Sequence, residues 1–431
     1  MTSTQLTDAQ LDERYAPIFE RIADGSIERE QNRELAYDAV KWLKESGFTA
    51  LRVPRAYGGG GITLPQFFRQ LSRLGAADSN LPQILRAHFG FIEYRLESTD
   101  EAQRRRWLER VANGETVGAA TSERTGSTHN SVLLAHDAAS GVLRLNGEKY
   151  YSTGTLYADW IGVAAHDDES DINVVIPATA PGVERIDDWD GFGQRLTASG
   201  TTRFTNVAVA EEWVLSRYKA SEPRRNSFLS AYFQAVHLAT LAGIVQAIVR
   251  DSVAFTQGRT RTFGVAGQSS PRDNPLVQRV VGRLASLAYS TRSIVESVAH
   301  SLEAVHQKRE QGIATTDDYI AVDVEAFQAQ QIVIEQTLEA ASLLFEVGGA
   351  SATSETRRFD RHWRNARTIA SHNPAAQREA LIGRYHLNGT PPEERFSLPH
   401  AGSTILSATA ANESERRPAF ADAVVEVASQ E

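Results

Sequence analysis

The chain has 431 residues, no cysteine and a formal charge of −9, from 45 basic and 54 acidic side chains. That length exceeds one small core and divides into about two or three structural units, and the acidic balance excludes a nucleic-acid surface, which needs concentrated basic residues. The missing cysteines exclude disulfides, thiol nucleophiles and thiolate metal sites together, so chemistry must come from histidine, hydroxyls, backbone groups or a borrowed cofactor.

The first residues, Met1 to Asp8, lack both a basic start and an apolar core, so no secretory leader is read there. No run of ~18 or more consecutive apolar residues marks a membrane span, and cytoplasmic residence is the expectation. From about Gln10 to Asn113 apolar residues recur at helical spacing, with Ala36, Val40, Trp42 and Leu43, then Phe67, Phe68, Leu71 and Leu74. Tyr57-Gly58-Gly59-Gly60-Gly61 separates the two groups. No strand precedes these glycines and no Lys-Ser or Lys-Thr follows, so a turn between helices is the reading, not a phosphate loop. Arg104-Arg105-Arg106 reads as a solvated helix face.

Between about Thr116 and Ser216 the period changes to two. Short strands are predicted at Val142–Leu145, Ile161–Ala164, Ile172–Ile176 and Thr202–Val209, separated by Gly, Asp and Pro turns. From Asn226 to about Gly348 long helical segments return, with Val277, Val281, Leu284, Ala288, Thr291, Val295, Val298, Leu302 and Val305 on one apolar face. Thr315-Thr316-Asp317 marks a helix start and Gly348-Gly349 a stop. The division that follows is helical over 1–115, β over 116–216 and helical over 217–400, with the acidic, Ala-rich 401–431 as a mobile tail. His300 and His306 lie too far apart to share one helix face closely, and His166 beside Asp167-Asp168-Glu169 reads as a solvated acidic turn. No metal site is predicted.

Four segments, in this order and spacing, carry a resemblance: Val53-Pro54-Arg55-Ala56-Tyr57-Gly58-Gly59, Gly118-Ala119-Ala120-Thr121-Ser122-Glu123, Leu145 to Gly154, and Arg259-Thr260-Arg261-Thr262-Phe263-Gly264. From about Leu35 to Pro399 the chain resembles the acyl-CoA dehydrogenase superfamily. The resemblance implies an α+β fold with an N-terminal helical domain, a middle β-barrel-like domain and a C-terminal four-helix bundle. One departure redirects the chemistry. Where the dehydrogenases carry Tyr-Glu-Gly-Thr, whose Glu removes the substrate α proton, this chain reads Ser371-His372-Asn373-Pro374. Loss of a general base typically costs ~10²–10⁴-fold in rate, so a different reaction is expected on the same scaffold. Asp187-Asp188-Trp189 leading into Gly193 to Gly200, the Trp363-Arg364-Asn365 run ending in His372, and Leu387-Asn388-Gly389 are similar to the flavin-dependent monooxygenase branch, in particular the dibenzothiophene, sulfone and sulfinate monooxygenases.

On that branch the resemblance implies reduced FMN supplied by a separate, transient NAD(P)H-dependent flavin reductase, with FAD as the alternative flavin. Molecular oxygen would react to a flavin C4a-hydroperoxide that oxygenates a heteroatom, sulfur first and nitrogen second, of a small or medium apolar substrate. A homotetramer is implied too. His372, Thr153 and His88 are the implied catalytic residues, and Ser122, Ser127, Tyr151, Thr153, Arg261 and Ser351 the implied flavin contacts. Each has a plainer reading from the residues alone: a structural histidine for His372 or His88, a β-forming threonine for Thr153, a core aromatic for Tyr151 and a surface ion pair for Arg261. Two rival activities also stand: hydroxylation of an aromatic carbon, with His372 deprotonating a phenol, and an acyl-CoA dehydrogenase whose base has moved to Glu335, Glu339 or Glu346.

Overall fold

A computed structural model of the chain describes residues 6–124, 131–138, 140–167, 169–219, 226–259 and 270–392. Seven helices come first: α1 (Asp8–Asp24), α2 (Ser26–Asn32), α3 (Tyr37–Glu45), α4 (Leu64–Ala77), α5 (Asn80–Ile84), α6 (Arg86–Leu96) and α7 (Glu101–Ala112). Thr7 and Thr63 begin α1 and α4 through capping boxes with Gln10 and Gln66, each side chain satisfying a backbone N–H that the first turn leaves open. The glycine run is the expected turn before α4. A Cβ on Gly59 would fall 2.2 Å from the Val53 carbonyl oxygen, so the chain folds back on itself too tightly for a side chain.

Among the described residues eight strands follow: β1 (Val117–Ala120), β2 (Leu133–His136), β3 (Leu143–Lys149), β4 (Trp160–His166), β5 (Asp171–Pro177), β6 (Val183–Arg185), β7 (Thr202–Val209) and β8 (Val214–Tyr218). The four predicted strands correspond to β3, β4, β5 and β7, whereas β1, β2, β6 and β8 are additions. They form one mixed sheet in the order β6-β7-β3-β2-β4-β5-β8, with β1 joined in parallel to β4. This mixed sheet, whose path runs from β6 to β8, is the expected β-barrel-like middle domain, and its strands share one apolar cluster that includes Leu134, Leu145, Val163, Val174 and Val207.

The C-terminal part holds α8 (Leu229–Gln257), α9 (Pro275–Glu310), α10 (Thr316–Leu343), α11 (Asp360–Ala370) and α12 (Ala375–Asn388). Thr315 caps α10 with Asp318. The buried face of α9 uses Val280 and Leu287 where the sequence pattern selects Val281 and Ala288, which are only partly buried. That is a small rotation of the same stripe. α8 is the one described helix long and apolar enough to cross a membrane, yet 83% of its apolar window is buried by protein, as in a core helix. It packs on α4, α9, α10 and α11, and α4 and α8 cross closely because Gly75 and Gly243 face each other's backbone. The helices from the two ends of the sequence thus share one apolar core. The tail 401–431 lies outside the described residues.

Candidate functional site

His372 sits in the turn between α11 and α12, placed by backbone bonds from Ser371 N–H to Arg367 and from His372 N–H to Ile369. Its ring is solvent-exposed. Its Nδ1 is 3.2 Å from the Asn373 side-chain carbonyl, so Nδ1 carries the proton and Nε2 presents a lone pair. Asn373 is itself fixed: its amide donates to Gln234 of α8 at 2.8 Å, and its backbone carbonyl accepts from Gln330 of α10 at 3.1 Å. Arg378 of α12 closes the ring by donating to the side-chain carbonyls of both Gln234 and Gln330. Residues from three helices therefore hold the orientation of one imidazole.

The ring of His237, from α8, meets that of His372 with centroids 4.4 Å apart. His237 is buried and donates from Nε2 to the Gln83 side-chain carbonyl at 3.1 Å. Arg86 opens α6 beside them, its guanidinium over the Phe233 ring at 4.5 Å. Although His372 is exposed, protein surrounds it on most sides. Loss of solvation and then the nearby charges of Arg86 and Arg378 disfavour imidazolium, pushing its pKa down to about 4. His237 is held well below the ordinary histidine range by burial, then by His372, Arg86 and Arg378. At neutral pH both rings are neutral.

Thr153 lies just after β3, where its hydroxyl is hydrogen-bonded to that of Ser199 at 2.7 Å. Ser199 is bonded in turn to Thr197 at 2.8 Å, whose hydroxyl lies 2.9 Å from the Gln194 carbonyl. The loop bearing these residues is strained: Gln194 and Ala198 adopt φ of 51° and 50°, and Tyr151, two residues before Thr153, adopts 61°. Such conformations persist only where surroundings enforce them. Here Asp187 is gripped by both Arg33 nitrogens at 2.8 and 2.9 Å, Asp188 accepts from Thr201 N–H and Oγ1 at 2.7 Å, and the Trp189 indole donates to Gln194 O at 3.0 Å. Gln194 N–H donates to Asn365 Oδ1 at 2.6 Å, while the Gln194 and Asn365 amides both donate to the Ser79 hydroxyl, at 3.3 and 3.0 Å. A Cβ on Gly154 would lie 2.3 Å from the Ile84 carbonyl oxygen. A short path of contacts, Thr153-Gly154 to Ile84-Gln83 to His237, therefore links Thr153 to His372.

Ser122 and Tyr151 are exposed and close together, because Tyr150 N–H donates to the Ser122 carbonyl at 3.1 Å. Ser351 is exposed on the turn after α10, and the structure shows no contact from it to this group. Ser127 and Arg261 fall outside the described residues. His88 is not brought to His372 or Thr153. It is fully buried, with Nε2 donating to the Thr49 carbonyl at 2.9 Å and Nδ1 accepting from Val117 N–H at 3.3 Å. Burial pushes its pKa down to about 4; with both nitrogens occupied by backbone, its geometry is that of a scaffold residue. Sequence reasoning missed Gln83, Arg86, Gln234, His237, Gln330 and Arg378. Spacing gives a hint only for Gln234 and His237, one turn apart on α8.

Residues 8–115 match the model of the acyl-CoA dehydrogenase N-terminal domain and residues 235–377 that of the acyl-CoA dehydrogenase C-terminal domain. The chain belongs to the acyl-CoA dehydrogenase superfamily. It lies on the flavin monooxygenase branch. The dibenzothiophene monooxygenase of Rhodococcus erythropolis is 28% identical, covering 88% of this chain and 94% of its own length. The probable FMNH2-dependent monooxygenase SfnC of Pseudomonas putida is 26% identical, covering 87% and 94%. Among solved structures, TdsC of Paenibacillus sp. A11-2 with FMN and indole superposes with a TM-score of 0.80 at 23% identity, over 88% of this chain and 97% of that one, which shows the shared fold.

For a member of this superfamily, the places offered for a relocated dehydrogenase base are poor. Glu335 is exposed, Glu339 is clasped by Arg283 at 2.7 and 2.9 Å, and Glu346 lies 3.7 Å from Arg279, all on outward-facing surface. A cavity of about 920 Å³ elsewhere, lined by Tyr94, Asn173, Ser216 and Tyr218 among others, contains none of the predicted site residues. Its polar groups bond one another, with Tyr94 and Asn173 reaching the Ser216 hydroxyl at 3.2 and 3.1 Å. Size alone does not make it the centre of chemistry.

Proposed function

We propose that the chain is the oxygenase component of a two-component flavin monooxygenase, taking reduced FMN from a separate NAD(P)H-dependent reductase and transferring one atom of molecular oxygen to sulfur, or next to nitrogen, of a small substrate. The residues present fit FMN. Exposed Ser122 and Tyr151 offer a polar edge and a ring, and the partly exposed Thr153 hydroxyl offers a donor or acceptor to a heteroaromatic ring. Bound reduced FMN would supply the reducing electrons that activate oxygen. The chain's own part is to hold a proton on a reacting oxygen and to keep bulk water away.

The observation that carries this reading is the state of His372: neutral, with Nδ1 bonded to Asn373 and Nε2 on an exposed ring with no hydrogen-bond partner among the described residues. A base whose conjugate acid has a pKa of about 4 accepts a hydrogen bond from an O–H without removing the proton. That property suits electrophilic oxygen transfer. It suits phenol deprotonation poorly, which ranks carbon hydroxylation second, and a C–H proton abstraction still less.

The test mixes photoreduced FMN and protein with oxygenated buffer in a stopped-flow instrument, with thioanisole as substrate. A transient absorbance distinct from both reduced and oxidised FMN, decaying faster with the sulfide and yielding sulfoxide, is expected. For His372→Phe, product per FMN should fall by ~10²-fold or more while hydrogen peroxide rises. Unchanged coupling would remove His372 from the reaction, and direct reoxidation with no transient and no sulfoxide would reject the monooxygenase.

A further inference from the structure

In a chain with 54 acidic and 45 basic residues, Arg86, Arg378 and His237 gather around His372. Arg86 has no carboxylate within 4.0 Å among the described residues. Among the described residues its one hydrogen bond is long, 3.5 Å from Nε to the Phe233 carbonyl, and its guanidinium lies 4.5 Å from the Phe233 ring centroid. Burial, then the charge of Arg378, pushes its pKa down to about 10, so the guanidinium stays charged with little to compensate it.

Helix stability does not explain a cation there. Arg86 occupies the first turn of α6, where the helix dipole disfavours positive charge. Nor is its position loose. Gly90, one turn further along α6, lacks the Cβ that would fall 2.1 Å from Phe233, which lets the edge of that ring approach α6 beside the guanidinium. Arg378 is held in place by the neutral side-chain carbonyls of Gln234 and Gln330. For Arg86, a preorganised and mostly buried guanidinium is incomplete without an anion, because an uncompensated buried charge is costly, and a fork of N–H donors matches a carboxylate or an oxyacid of sulfur.

We propose that the substrate carries an anionic group, a carboxylate or sulfur oxyanion, seated on Arg86 and Arg378, with its oxidisable heteroatom turned toward His372. The claim rests on the monooxygenase reading above and narrows it from apolar compounds to acids with an apolar body. The anion's seat and the reacting atom are then separate contacts, and the fixed distance between them selects the substrate.

The test compares thioanisole with 4-(methylthio)benzoate, which differ only in the carboxylate. Calorimetric titration of the full chain without flavin reads affinity, and FMN-dependent turnover reads sulfoxide. The wild type should bind the acid ~10-fold or more tightly than the neutral sulfide, and Arg86→Gln should abolish that preference while changing thioanisole affinity less than about 2-fold. Arg86→Lys, which keeps the charge without the fork, should fall between, and Arg378→Gln should weaken the acid as well. A thermal-melting check shows whether each variant is folded. Equal affinity for the two sulfides in the wild type, or an unchanged preference in folded Arg86→Gln and Arg378→Gln, would overturn the proposal. So would loss of the preference for FMN over riboflavin in Arg86→Gln with the sulfide preference intact, since the anion would then be the flavin phosphate. If the acid binds as expected but neither sulfide is oxygenated, the failure belongs to the monooxygenase reading.

Discussion

His88 and His372 were both implied as catalytic by the family resemblance, and the structure separates them by what their nitrogens face. His88 spends both on backbone in the core, whereas His372 keeps Nε2 open. His88→Ala would strand the Thr49 carbonyl and the Val117 N–H, each costing about 1–3 kcal/mol when buried without a partner. Denaturant unfolding should therefore show a large loss of stability, with oxygenation per folded molecule retained. A stable variant with lost activity would restore a catalytic role. His372 was legible because it stands where the superfamily has its base. Its supports were not. Gln234, Gln330 and Arg378 come from three helices, and each is an unremarkable polar residue until the helices meet. Arg86 was invisible for another reason: a lone arginine on a helix reads as surface, and only the absence of a nearby carboxylate among the described residues marks it out.

Among the elements, legibility followed alternation. β7 buries residues in the pattern its Thr-Arg-Phe-Thr-Asn-Val-Ala-Val sequence announces, and it was placed to the residue. β1 reads Val-Gly-Ala-Ala, which has little strand preference; it forms because it pairs in parallel with β4, a partner some forty residues away that no local pattern reveals. β6 is three residues at a sheet end. The crossing of α4 and α8 was equally hidden, although it positions Phe233, Gln234 and His237. A Cβ on Gly243 would lie 2.4 Å from the Ser72 carbonyl oxygen and 2.7 Å from the Gly75 carbonyl carbon, both backbone atoms that cannot rotate away. Gly243→Ala gains about 1 kcal/mol of helix propensity but forces the helices apart, and overpacking costs about 1–3 kcal/mol. The clash wins because backbone must move. Urea unfolding should show net destabilisation, and peroxide leakage should rise as α8 carries its side chains away from Asn373; a more stable variant would show that the crossing has slack.

For the molecule as a whole, several histidines are kept neutral, and this sets its response to acid. His88 and His362 have pKa values pushed down to about 4, His88 by burial and His362 by burial and then the charge of Arg361. Unfolded histidine titrates near ~6.5. Below that pH the unfolded chain binds protons that the folded chain refuses, so stability falls as pH drops from about 6.5 to about 4 and is level above it. Asp251 acts in the same direction but further into acid. Burial opposes its ionisation, yet the hydrogen bond from His362 at 2.8 Å and the charges of His362, Arg361 and Arg250 hold its carboxyl far below the usual range. Melting should be flat from pH 8 to 7 and then fall by about 5 °C or more between pH 6.5 and 5.0, with the slope reduced in His362→Gln; a midpoint that rises on acidification would contradict the assignment. The Ser79 hydroxyl, which takes bonds from both Gln194 and Asn365, has one more implication. It stands between α4 and α5, and its two donors come from the sheet's strained loop and from α11. Anyone recombining this protein with its relatives should therefore treat those three distant codons as a single inherited unit. A crossover placed between them, however neatly it respects the helix and strand ends, would deliver a lock without its key.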